Sequence, residues 1–546
     1  MIIKKTELTH KDVFISFASV LLGIFAVSLA LFGGFNFGLT IYFVSALIFG
    51  TIYFKEKGKK TGAFGIILFI LSFLGSFVFT ITADFLTNFT LFFILCISIF
   101  SYFHILKYGS GNLGDLKLIP MLFYSSFLMP IVNLWVSMKS LFSGRRKSFA
   151  KYRKLFVGLL FAVPFLLIII PLLISGDAAF EGLLKGIGFK EIFPFTLKAL
   201  FGIIISPIIF SFFFANKKNE KDFKFNVSLD KVKIDSLYGI SFLFAIALCY
   251  LTYLFSQLAY LFGGLGGILP EEFTMAEYAK RGFFEITAIA IINFIIMGCA
   301  HIFFKRDSGV KTNLLKGFMV FIGIFTLLLI TTAIAKMVMY IDRFGMTYLR
   351  ITTSLFLIFI FILCATLTLR SLTRKVLIIR PALITALVIL TLIGTVGTKR
   401  LIADYNTYAY FSGNLKTLDV ETIANCGNPS VANLIKLEKY LAKNQEEYEN
   451  IEYYAEVVKE LSYKFDEMYT EKDGKYIRKN DFKIESFNFE KELAYKAVDE
   501  ALEKNPKYIE FIYKKEAECY EDDYIECYEH DYHFDDDYDD DYYDEY

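Results

Sequence analysis

Repeated apolar runs of about 20 residues constrain this chain more than any other feature of its sequence. A helix that spans a membrane needs roughly 17–25 largely apolar residues, whereas soluble domains do not carry such runs repeatedly. The chain is 55% hydrophobic and its mean hydropathy is +0.49. About eleven runs qualify as spans, near residues 13–32, 36–54, 62–82, 85–106, 155–175, 194–214, 236–261, 283–304, 314–336, 351–369 and 379–398. The sequence therefore predicts an all-α, polytopic helical membrane protein.

The positions of lysine and arginine predict how the chain is threaded. Four connecting segments have a clear positive excess, namely 55–60, 139–154, 305–316 and 370–380. Segments of this kind stay on the cytoplasmic side of a membrane. With eleven spans, all four fall on one side, so we expect a cytoplasmic N-terminus. The region after the last span is then extracytoplasmic, in a multi-pass protein of the cell membrane.

Residues 118–138 are apolar enough to span but fit this threading poorly. The segment contains Pro120, Pro130 and Asn133 and leads directly into the polybasic stretch 139–154. A full crossing would place basic residues on the wrong side. We expect an interfacial or re-entrant segment on the cytoplasmic side, and a twelfth span is the alternative. Clustered lysine and arginine next to a membrane predict contact with anionic lipids at 139–154.

Charge divides the chain near residue 399. The residues from Lys399 onwards include 19 basic and 38 acidic side chains, whereas the preceding residues include 38 basic and 18 acidic ones. Such asymmetry is typical of two regions in two environments. We therefore predict a transmembrane domain over 1–398, a small soluble helical domain over 399–519, and an acidic tail over 520–546.

The polar C-terminal region carries apolar residues at helical spacing. Amphipathic helices are predicted over Pro429–Asn444, Glu446–Tyr469 and Phe489–Asn505. The tail from Tyr520 holds 14 acidic residues, eight tyrosines, two histidines and no lysine or arginine. Such a composition buries no core, so the tail is predicted to be disordered. It either solvates the domain or binds divalent cations weakly.

Arg281 and Glu285 are charges that enter an apolar run, where burial of a charge is costly. They are four residues apart, on one face of a helix, and can pair. They end a glycine-rich segment, 263–285, that begins GGLGG. One interpretation is an ion pair at the membrane interface. The other is that Glu285 faces a water-filled cavity beside a flexible hinge.

Polar residues further along the same span predict contacts between helices. Asn293 and His301 follow Glu285 at steps of eight residues, which turn by about 80° around a helix, so the three do not share a face. A proton relay along this helix is therefore disfavoured, and interhelical hydrogen bonds are favoured. Gln257 on the preceding span is an expected partner.

A second charged passage, AKMVMYIDRFGMTYLR, surrounds a predicted outer loop. Lys336, Tyr340 and Arg343 lie within two turns of one another on one face of a helix, and Arg350 follows the loop. Lysine and arginine at such positions often extend their charged ends to the membrane interface. The alternative is an outward-facing basic site for an anionic head group or solute.

These two passages also carry a family resemblance. FTMAEYAKRGFFEITAIAIINFII and AKMVMYIDRFGMTYLRI resemble bacterial multi-pass membrane proteins of domain-of-unknown-function family 4173, which is related to the broader family 4153. The matching positions are Tyr278, Ala279, Arg281, Gly282, Phe283, Phe284, Glu285, Lys336, Tyr340, Gly345, Thr347 and Arg350. Lysine at 336 replaces the family's usual arginine and keeps the charge without bidentate geometry.

The resemblance covers roughly residues 150–440, and it includes the passage DYNTYAYFSGNLKTLDVETIANCGNPSVANLIKL after the last span. It implies a membrane location and no reaction. The sequence contains no HExxH, GxSxG or Walker signature. It predicts no metal site, no cofactor and no nucleic-acid partner, it predicts contact with the lipid bilayer, and it does not fix an oligomeric state.

Two classes of function follow from these observations. The first is a transport or envelope-sensing component that uses the 263–285 loop and the adjacent charges in a conformational change. The second is a membrane enzyme that acts on a lipid-linked or anionic envelope substrate at the outer face. In the enzyme, Glu285 serves as acid or base, and Lys336, Arg343 or Arg350 binds the anion.

Overall fold

The computed structural model divides the chain into two compact units. The membrane unit comprises residues up to Ile341, Leu349–Gly397 and Lys483–Asn488, and the C-terminal unit comprises Asp342–Tyr348, Thr398–Phe482 and the residues from Phe489 onwards. The structure describes residues 8–31, 34–56, 61–109, 118–141, 189–219, 234–265, 283–304, 309–373, 376–444, 448–472, 475–479 and 487–521, together with 165, 169, 172, 173 and 176.

The described part of the membrane unit is built from long apolar helices. They are α1 (His10–Phe25, continued by a π-helical turn, Ala26–Leu31), α2 (Phe37–Phe54), α3 (Gly62–Ile81), α4 (Phe85–Tyr108), α5 (Leu118–Phe123), α6 (Met129–Val132), α7 (Leu134–Leu141), α8 (Phe189–Lys218), α9 (Ser236–Leu265), α10 (Phe283–Phe303), α11 (Val310–Phe344), α12 (Tyr348–Leu372) and α13 (Ile379–Val396). Ten of the described helices are long and apolar enough to cross a membrane. The prediction of an all-α polytopic membrane protein is confirmed, and the predicted span at 155–175 lies almost wholly outside the described residues.

Helices α1 and α8 cross at a glycine pair. A Cβ atom added to Gly23 would lie 2.2 Å from the carbonyl oxygen of Gly202, and one added to Gly202 would lie 2.5 Å from the Cα of Ile24. Any larger side chain at either position would push the two backbones apart. Small residues at helix crossings are a common device in membranes, because close backbone packing replaces the hydrophobic effect there.

Several helices place basic residues at one end of the bundle, which we call the basic end. Lys107, on the last turn of α4, donates hydrogen bonds to the main-chain carbonyls of Asn216 and Asn219 at the end of α8. Lys11, at the start of α1, donates to the carbonyl of Lys55 after α2, with 3.1 Å between the atoms. Ammonium groups stabilise helix C-termini because the last carbonyls lack partners within the helix. Helices α2, α4 and α8 therefore all end at the basic end, and α1 begins there.

A buried carboxylate joins three of these helices at the basic end. Asp12 on α1 is fully buried and its Oδ2 lies 2.9 Å from the ammonium nitrogen of Lys218 on α8. The hydroxyl of Tyr53 on α2 donates to Oδ1 over 2.7 Å. The main-chain N–H and hydroxyl of Thr9 donate to Oδ2 as well. We call this arrangement the Asp12 cluster. Both carboxylate oxygens of Asp12 have hydrogen-bond or ion-pair partners in it, although the side chain is fully buried.

The segment from α5 to α7 is sharply bent. Its two halves, Met121–Val132 and Leu134–Ser140, meet at 60°. The hydroxyl of Ser211 on α8 donates to the carbonyl of Pro130 over 2.7 Å and lies 3.1 Å from the hydroxyl of Ser137, so one side chain of α8 contacts both halves. Contacts with α8 thus hold the bend of this segment, which was predicted to be interfacial or re-entrant.

Helix α13 runs parallel to α3. At the start of both helices the guanidinium of Arg380 lies 5.1 Å from the centre of the Phe64 ring. Near their ends, a Cβ atom added to Gly394 would lie 2.3 Å from a methyl group of Val78. Since α3 follows α2 through a short connection, α13 begins at the basic end and finishes at the opposite end.

Helices α9 to α12 form a second helical group of the membrane unit. Two apolar clusters fill it, one around Ile286, Leu329 and Leu357 and the other around Leu243, Met297 and Met319. Helices α11 and α12 approach closely where a Cβ added to Gly323 would lie 2.1 Å from the hydroxyl of Thr368. This packing leaves three polar side chains enclosed near the middle of the group.

The described part of the C-terminal unit is mostly helical. Its elements are α14 (Thr398–Phe411), α15 (Val420–Ala424), a 3₁₀ turn (Asn428–Ser430), α16 (Val431–Leu441), α17 (Tyr448–Met468), β1 (Tyr469–Lys472), β2 (Lys475–Arg478), α18 (Phe489–Lys504) and α19 (Tyr508–Glu521). The three predicted helices correspond to α16, α17 and α18.

Two features of this unit differ from the sequence-based expectation. The strands β1 and β2 pair as an antiparallel hairpin, from Tyr469 opposite Arg478 to Lys472 opposite Lys475, between two predicted helices where no strand was predicted. Helix α19 continues to Glu521, so the first two residues of the predicted tail are helical. The rest of the tail lies outside the described residues.

Candidate functional site

The predicted cationic residues surround the connection between α11 and α12. Lys336, Tyr340 and Arg343 lie on the last turns of α11, and Arg350 lies on the first turn of α12. Arg343 is exposed, whereas the other three are partly buried. The helical hairpin therefore keeps at one end of the bundle four residues from a stretch of fifteen in the sequence, 336–350.

The structure brings Tyr340 and Arg350 into direct contact. The guanidinium carbon of Arg350 lies 4.2 Å from the centre of the Tyr340 ring, a distance typical of a cation–π interaction. Lys336 lies one turn before Tyr340 on the same helix. The pair holds the start of α12 against the end of α11, which is a structural consequence that the spacing alone did not predict.

Among the described residues, no hydrogen bond or ion pair joins Glu285 to this cationic group. Glu285 occupies the first turn of α10, its side chain is exposed, and among the described residues it has no hydrogen-bond or ion-pair partner. A carboxylate in the first turn of a helix interacts favourably with the helix dipole even without a cation. Arg281 lies outside the described residues, so its pairing with Glu285 stays a prediction.

The glycine-rich hinge before α10 is only partly described. Helix α9 continues through Gly263 and Gly264 to Leu265, past residue 261, near which the span was predicted to end. Hydrogen bonding within a helix outweighs the cost of glycine, about 1 kcal/mol per residue. Residues 266–282 lie outside the described residues.

The connection between α11 and α12 belongs to the C-terminal unit, and Asn406 on α14 holds it. The main-chain N–H of Met346 donates to Asn406 Oδ1 over 2.7 Å, and Asn406 Nδ2 donates to the carbonyl of Met346 over 2.8 Å. The Asn406 side chain is 5% exposed, so both hydrogen bonds are shielded from water. We call this two-bond contact the Asn406 clasp.

Gly345 is required for the clasp on steric grounds. Its φ angle is +76°, a conformation that residues with a Cβ rarely adopt. A Cβ atom at this position would also lie 2.8 Å from Asn406 Oδ1 and 3.3 Å from a methyl group of Leu415. The fold therefore gives a physical reason for glycine at 345.

Three neutral polar side chains meet near the middle of the second helical group. The hydroxyl of Tyr250 on α9 donates to Asn293 Oδ1 over 2.5 Å, and Asn293 Nδ2 donates to Thr326 Oγ1 on α11 over 2.9 Å. The hydroxyl of Thr326 in turn donates a hydrogen bond to the carbonyl of Ile322. Asn293 is fully buried and is the central residue of α10. We call this the Asn293 network.

The Asn293 network confirms the expectation that Asn293 bonds to neighbouring helices. The partners of Asn293 are Tyr250 and Thr326. The side chain of Gln257, the expected partner, is not among those that the structure describes. The Tyr250 ring also stacks on Phe325, with centroids 4.1 Å apart and planes 16° apart. The network is therefore fixed both by hydrogen bonds and by an aromatic contact.

His301 connects the other end of α10 to α12. Its Nε2 lies 3.2 Å from the carbonyl oxygen of Leu367 and 3.3 Å from the hydroxyl of Ser371. These contacts of His301 are to α12, whereas the Asn293 network connects α10 to α9 and α11. Both residues link helices, at two different depths of the same group.

The chemistry of these groups is that of coupling between helices. The clasp and the network consist of neutral amides, hydroxyls and main-chain groups, which form directional contacts and carry no net charge. Among the described residues, no three His, Cys, Asp or Glu side chains come together in a way that could hold a metal ion.

Sequence reasoning missed Asn406, Tyr250 and the Asp12 cluster as partners of other residues. Asn406 and Gly345 both lie within passages that carried the family resemblance, which was a signal that the two passages belong together. Tyr250 and Asp12 had no comparable signal, because tyrosines are frequent in this chain and a carboxylate at the start of a helix is ordinary.

A family model described as a domain of unknown function, DUF4153, matches residues 63–437. The match includes the clasp, the Asn293 network and the Tyr340–Arg350 pair. It is to the broader of the two families named from the sequence, and the narrower likeness to family 4173 stays a prediction. No curated protein and no solved structure matches the chain.

Proposed function

The chain belongs to the DUF4153 family, whose description assigns no activity, and from this premise we propose that it is an envelope-sensing component of the cell membrane. In this proposal the C-terminal unit meets the stimulus and the membrane helices respond. The observation that carries the proposal is the position of residues 342–348, which belong to the C-terminal unit although they comprise the end of α11, the connection after it and the first residue of α12.

The clasped loop is joined covalently to both α11 and α12, which couples the C-terminal unit to these two helices. Residues up to Ile341 and from Leu349 belong to the membrane unit, and the Asn406 clasp grips the loop at Met346 between them. A displacement of α14 therefore pulls on the clasped loop and is passed on through the chain to α11 and α12. The Tyr340–Arg350 contact supports joint movement of the two helix ends.

The response is proposed to travel along α11. This helix is 35 residues long, or about 50 Å, which exceeds the hydrocarbon thickness of a bilayer of about 30 Å. Thr326 near its midpoint joins the Asn293 network, so a shift of α11 acts on α9 and α10 as well. Coupling of this kind uses packed elements with shared hydrogen bonds.

The proposed orientation places the N-terminus in the cytoplasm and the C-terminal unit outside. Helices α4 and α8 both end at the basic end, so the chain between Tyr108 and Phe189 crosses the membrane an odd number of times. A re-entrant segment 118–141 together with one span at 155–175 meets this condition, whereas two full crossings do not. Eleven spans then result, with the basic end cytoplasmic by the positive-inside rule.

The alternative of an enzyme at the outer face has less support. That mechanism needs a carboxylate close to an anion-binding cation, and the described partners of Glu285 include neither Lys336, Arg343 nor Arg350. A transport role for the 263–285 loop depends on residues 266–282, which lie outside the described residues. Sensing is therefore the function that the described geometry favours.

The clasp gives a direct test of the coupling. We expect Asn406→Ala, in the full-length protein in lipid nanodiscs, to accelerate amide hydrogen exchange at the end of α11 and the start of α12. The loss of two buried hydrogen bonds, worth about 1–2 kcal/mol, corresponds to a factor of about 5–30. Asn414→Ala, at an exposed position of the same unit, serves as the control. A faster exchange confined to α14 would refute the coupling.

The orientation has its own test. Lys416 and Lys55 are both exposed, and cysteines at these positions report on opposite sides of the proposed topology. A membrane-impermeant maleimide added to intact cells is expected to label Lys416→Cys and to leave Lys55→Cys unlabelled until the cells are opened. The unsubstituted chain gives the background from native cysteines. The reverse pattern would invert the topology.

A further inference from the structure

One carboxylate is enclosed in the helical core of the C-terminal unit. Glu438 lies on α16 and is 4% exposed. The hydroxyl of Tyr508 on α19 donates to its Oε2 over 3.0 Å. In the described structure no ammonium or guanidinium group lies within ion-pair distance of it. A buried carboxylate without a paired cation is costly in its charged form.

Two titratable groups act on Glu438, one on its own helix and one on α19. Lys439 on α16 lies 5.4 Å from the centre of the Tyr508 ring, and Tyr508 donates its hydrogen bond from α19. On α17, burial and the negative charge of Glu438 raise the pKa of Tyr454 to about 12. Burial raises the pKa of the Glu438 carboxyl above its ordinary value of 4.5, although the Tyr508 hydrogen bond and Lys439 both act to lower it.

The pKa of a second carboxyl group in the C-terminal unit, that of Glu456, is raised as well. Burial raises the pKa of Glu456 on α17, and four nearby carboxylates raise it further, namely Glu452, Asp419, Glu421 and Glu460. Repulsion between like charges disfavours ionisation in the same way as burial does. Glu456 is less buried than Glu438 and therefore plays the smaller part.

The sign of the pH dependence follows from linkage. A carboxyl whose pKa is higher in the folded state binds its proton more tightly in that state. Its contribution to stability is fully present below the ordinary value of 4.5 and is lost as the pH rises through the raised pKa. The helices around Glu438 are therefore held more firmly at acidic pH than at neutral pH.

A short route of contacts connects Glu438 to the Asn406 clasp within the C-terminal unit. Asn433, one and a half turns before Glu438 on α16, donates from Nδ2 to Asp404 Oδ1 on α14 over 3.0 Å. Asn433 is 3% exposed. Asp404 in turn lies two residues before Asn406, which holds Met346. A change in how α16 packs thus reaches the loop between α11 and α12 through two side-chain contacts.

We propose that Glu438 is a proton-responsive element of the C-terminal unit, so that the stimulus sensed at the outer face is acidity. This inference rests on the proposed sensing function and names its stimulus. Protonation of Glu438 removes a buried negative charge and tightens the packing of α16 against α17 and α19. The Asn433–Asp404 contact passes the change to α14 and the clasp.

The test uses the full-length protein in nanodiscs and compares hydrogen-exchange protection in α16 and α19 at mildly acidic and neutral pH, corrected for intrinsic exchange rates. The wild-type protein is expected to lose protection as the pH rises, by at most about 10-fold per pH unit for one proton. Glu438→Gln keeps the size and the acceptor oxygen, and it is expected to remove most of this loss. The remainder should disappear in the double variant with Glu456→Gln.

Two further variants keep the proposal falsifiable. Glu503→Gln changes an exposed carboxylate on α18 and should retain the wild-type pH response. Tyr508→Phe removes the hydrogen bond that stabilises the ionised form, and it should move the transition to higher pH. A Glu438→Gln variant with the full wild-type response, or a Tyr508→Phe variant with a transition at lower pH, would overturn the assignment.

The same experiment separates this inference from the proposed function. In the wild-type protein, a pH step should also change exchange at the end of α11, and Asn406→Ala should abolish that distant change while α16 and α19 still respond. If α16 and α19 respond but α11 never does, Glu438 is proton-responsive and the sensing route is wrong. If none of these helices responds, the assignment of Glu438 is wrong.

Discussion

The membrane unit has two polar clusters that each join three helices through buried side chains, and the two clusters use different chemistry. The Asp12 cluster at the basic end joins α1, α2 and α8 through a carboxylate that accepts hydrogen bonds from Lys218, Tyr53 and Thr9. The Asn293 network joins α9, α10 and α11 through neutral groups at the centre of α10. One cluster is ionic and lies near a helix end, whereas the other is uncharged and lies deep in the helical group.

One cluster is ionic and the other neutral because the free-energy cost of a charged side chain depends on its depth in the membrane. A charged side chain at the centre of a membrane helix costs about 2.5–3.5 kcal/mol on insertion scales, and the cost falls towards the interface. Asp12 lies in the first turn of α1, where Lys218 at the end of α8 can reach it while remaining 19% exposed. At the depth of Asn293 no lysine can extend to water, so hydroxyl and amide groups are used instead.

The largest expected effect comes from breaking the Asp12 cluster. Asp12→Ala leaves Lys218 without its counter-ion and Tyr53 without its acceptor, so we expect a destabilisation of about 3–5 kcal/mol. The measurement is the free energy of unfolding in mixed detergent micelles. The double variant Asp12→Asn with Lys218→Met removes both charges and should recover part of the loss. Equal losses in the single and double variants would show that the ion pair is not the cause.

The Asn293 network should contribute less to the free energy of unfolding than the Asp12 cluster does. Asn293→Leu has a similar volume but removes the partners of Tyr250 and Thr326, and hydrogen bonds between membrane helices are worth about 0.6–2 kcal/mol. We expect a loss in this range by the same unfolding assay. A loss as large as that of Asp12→Ala would contradict the distinction between the ionic and the neutral cluster.

A smaller effect is expected for Tyr250→Phe. This change removes the hydroxyl that donates to Asn293 but keeps the ring that stacks on Phe325. The expected loss is about 0.6 kcal/mol, the average for a single hydrogen bond between membrane helices. If the loss matches that of Asn293→Leu, the hydroxyl rather than the Thr326 contact supports most of the network.

The smallest effect is expected for Glu285→Gln. Glu285 is exposed and has no partner among the described residues, so the stability should change by less than about 0.5 kcal/mol. Protein abundance in the membrane and the unfolding free energy are the measurements. A clear loss of abundance would favour the predicted ion pair with Arg281 and would make this position resemble the Asp12 cluster.

The candidate site illustrates how far sequence reasoning reached. It identified Tyr340 and Arg350 as one passage and Asn293 as a residue that bonds to other helices, because polar groups within apolar runs are conspicuous. It did not identify Tyr250 as the partner of Asn293, or Asn406 as the partner of Met346, which is 60 positions away in the chain. Such partners depend on which helices become neighbours, and helical periodicity does not contain that information.

The sequence by itself determined the class of protein and the approximate positions of its described membrane helices. Apolar runs of span length, positive connecting segments and the change in charge near residue 399 are local properties, and the physics of the bilayer acts on them locally. Only the tertiary structure decided that α8 bends the segment 118–141, that Lys218 reaches Asp12, and that the loop 342–348 belongs to the C-terminal unit. These outcomes depend on the match between surfaces far apart in the chain, such as Gly23 with Gly202, where a single added carbon atom would prevent the contact.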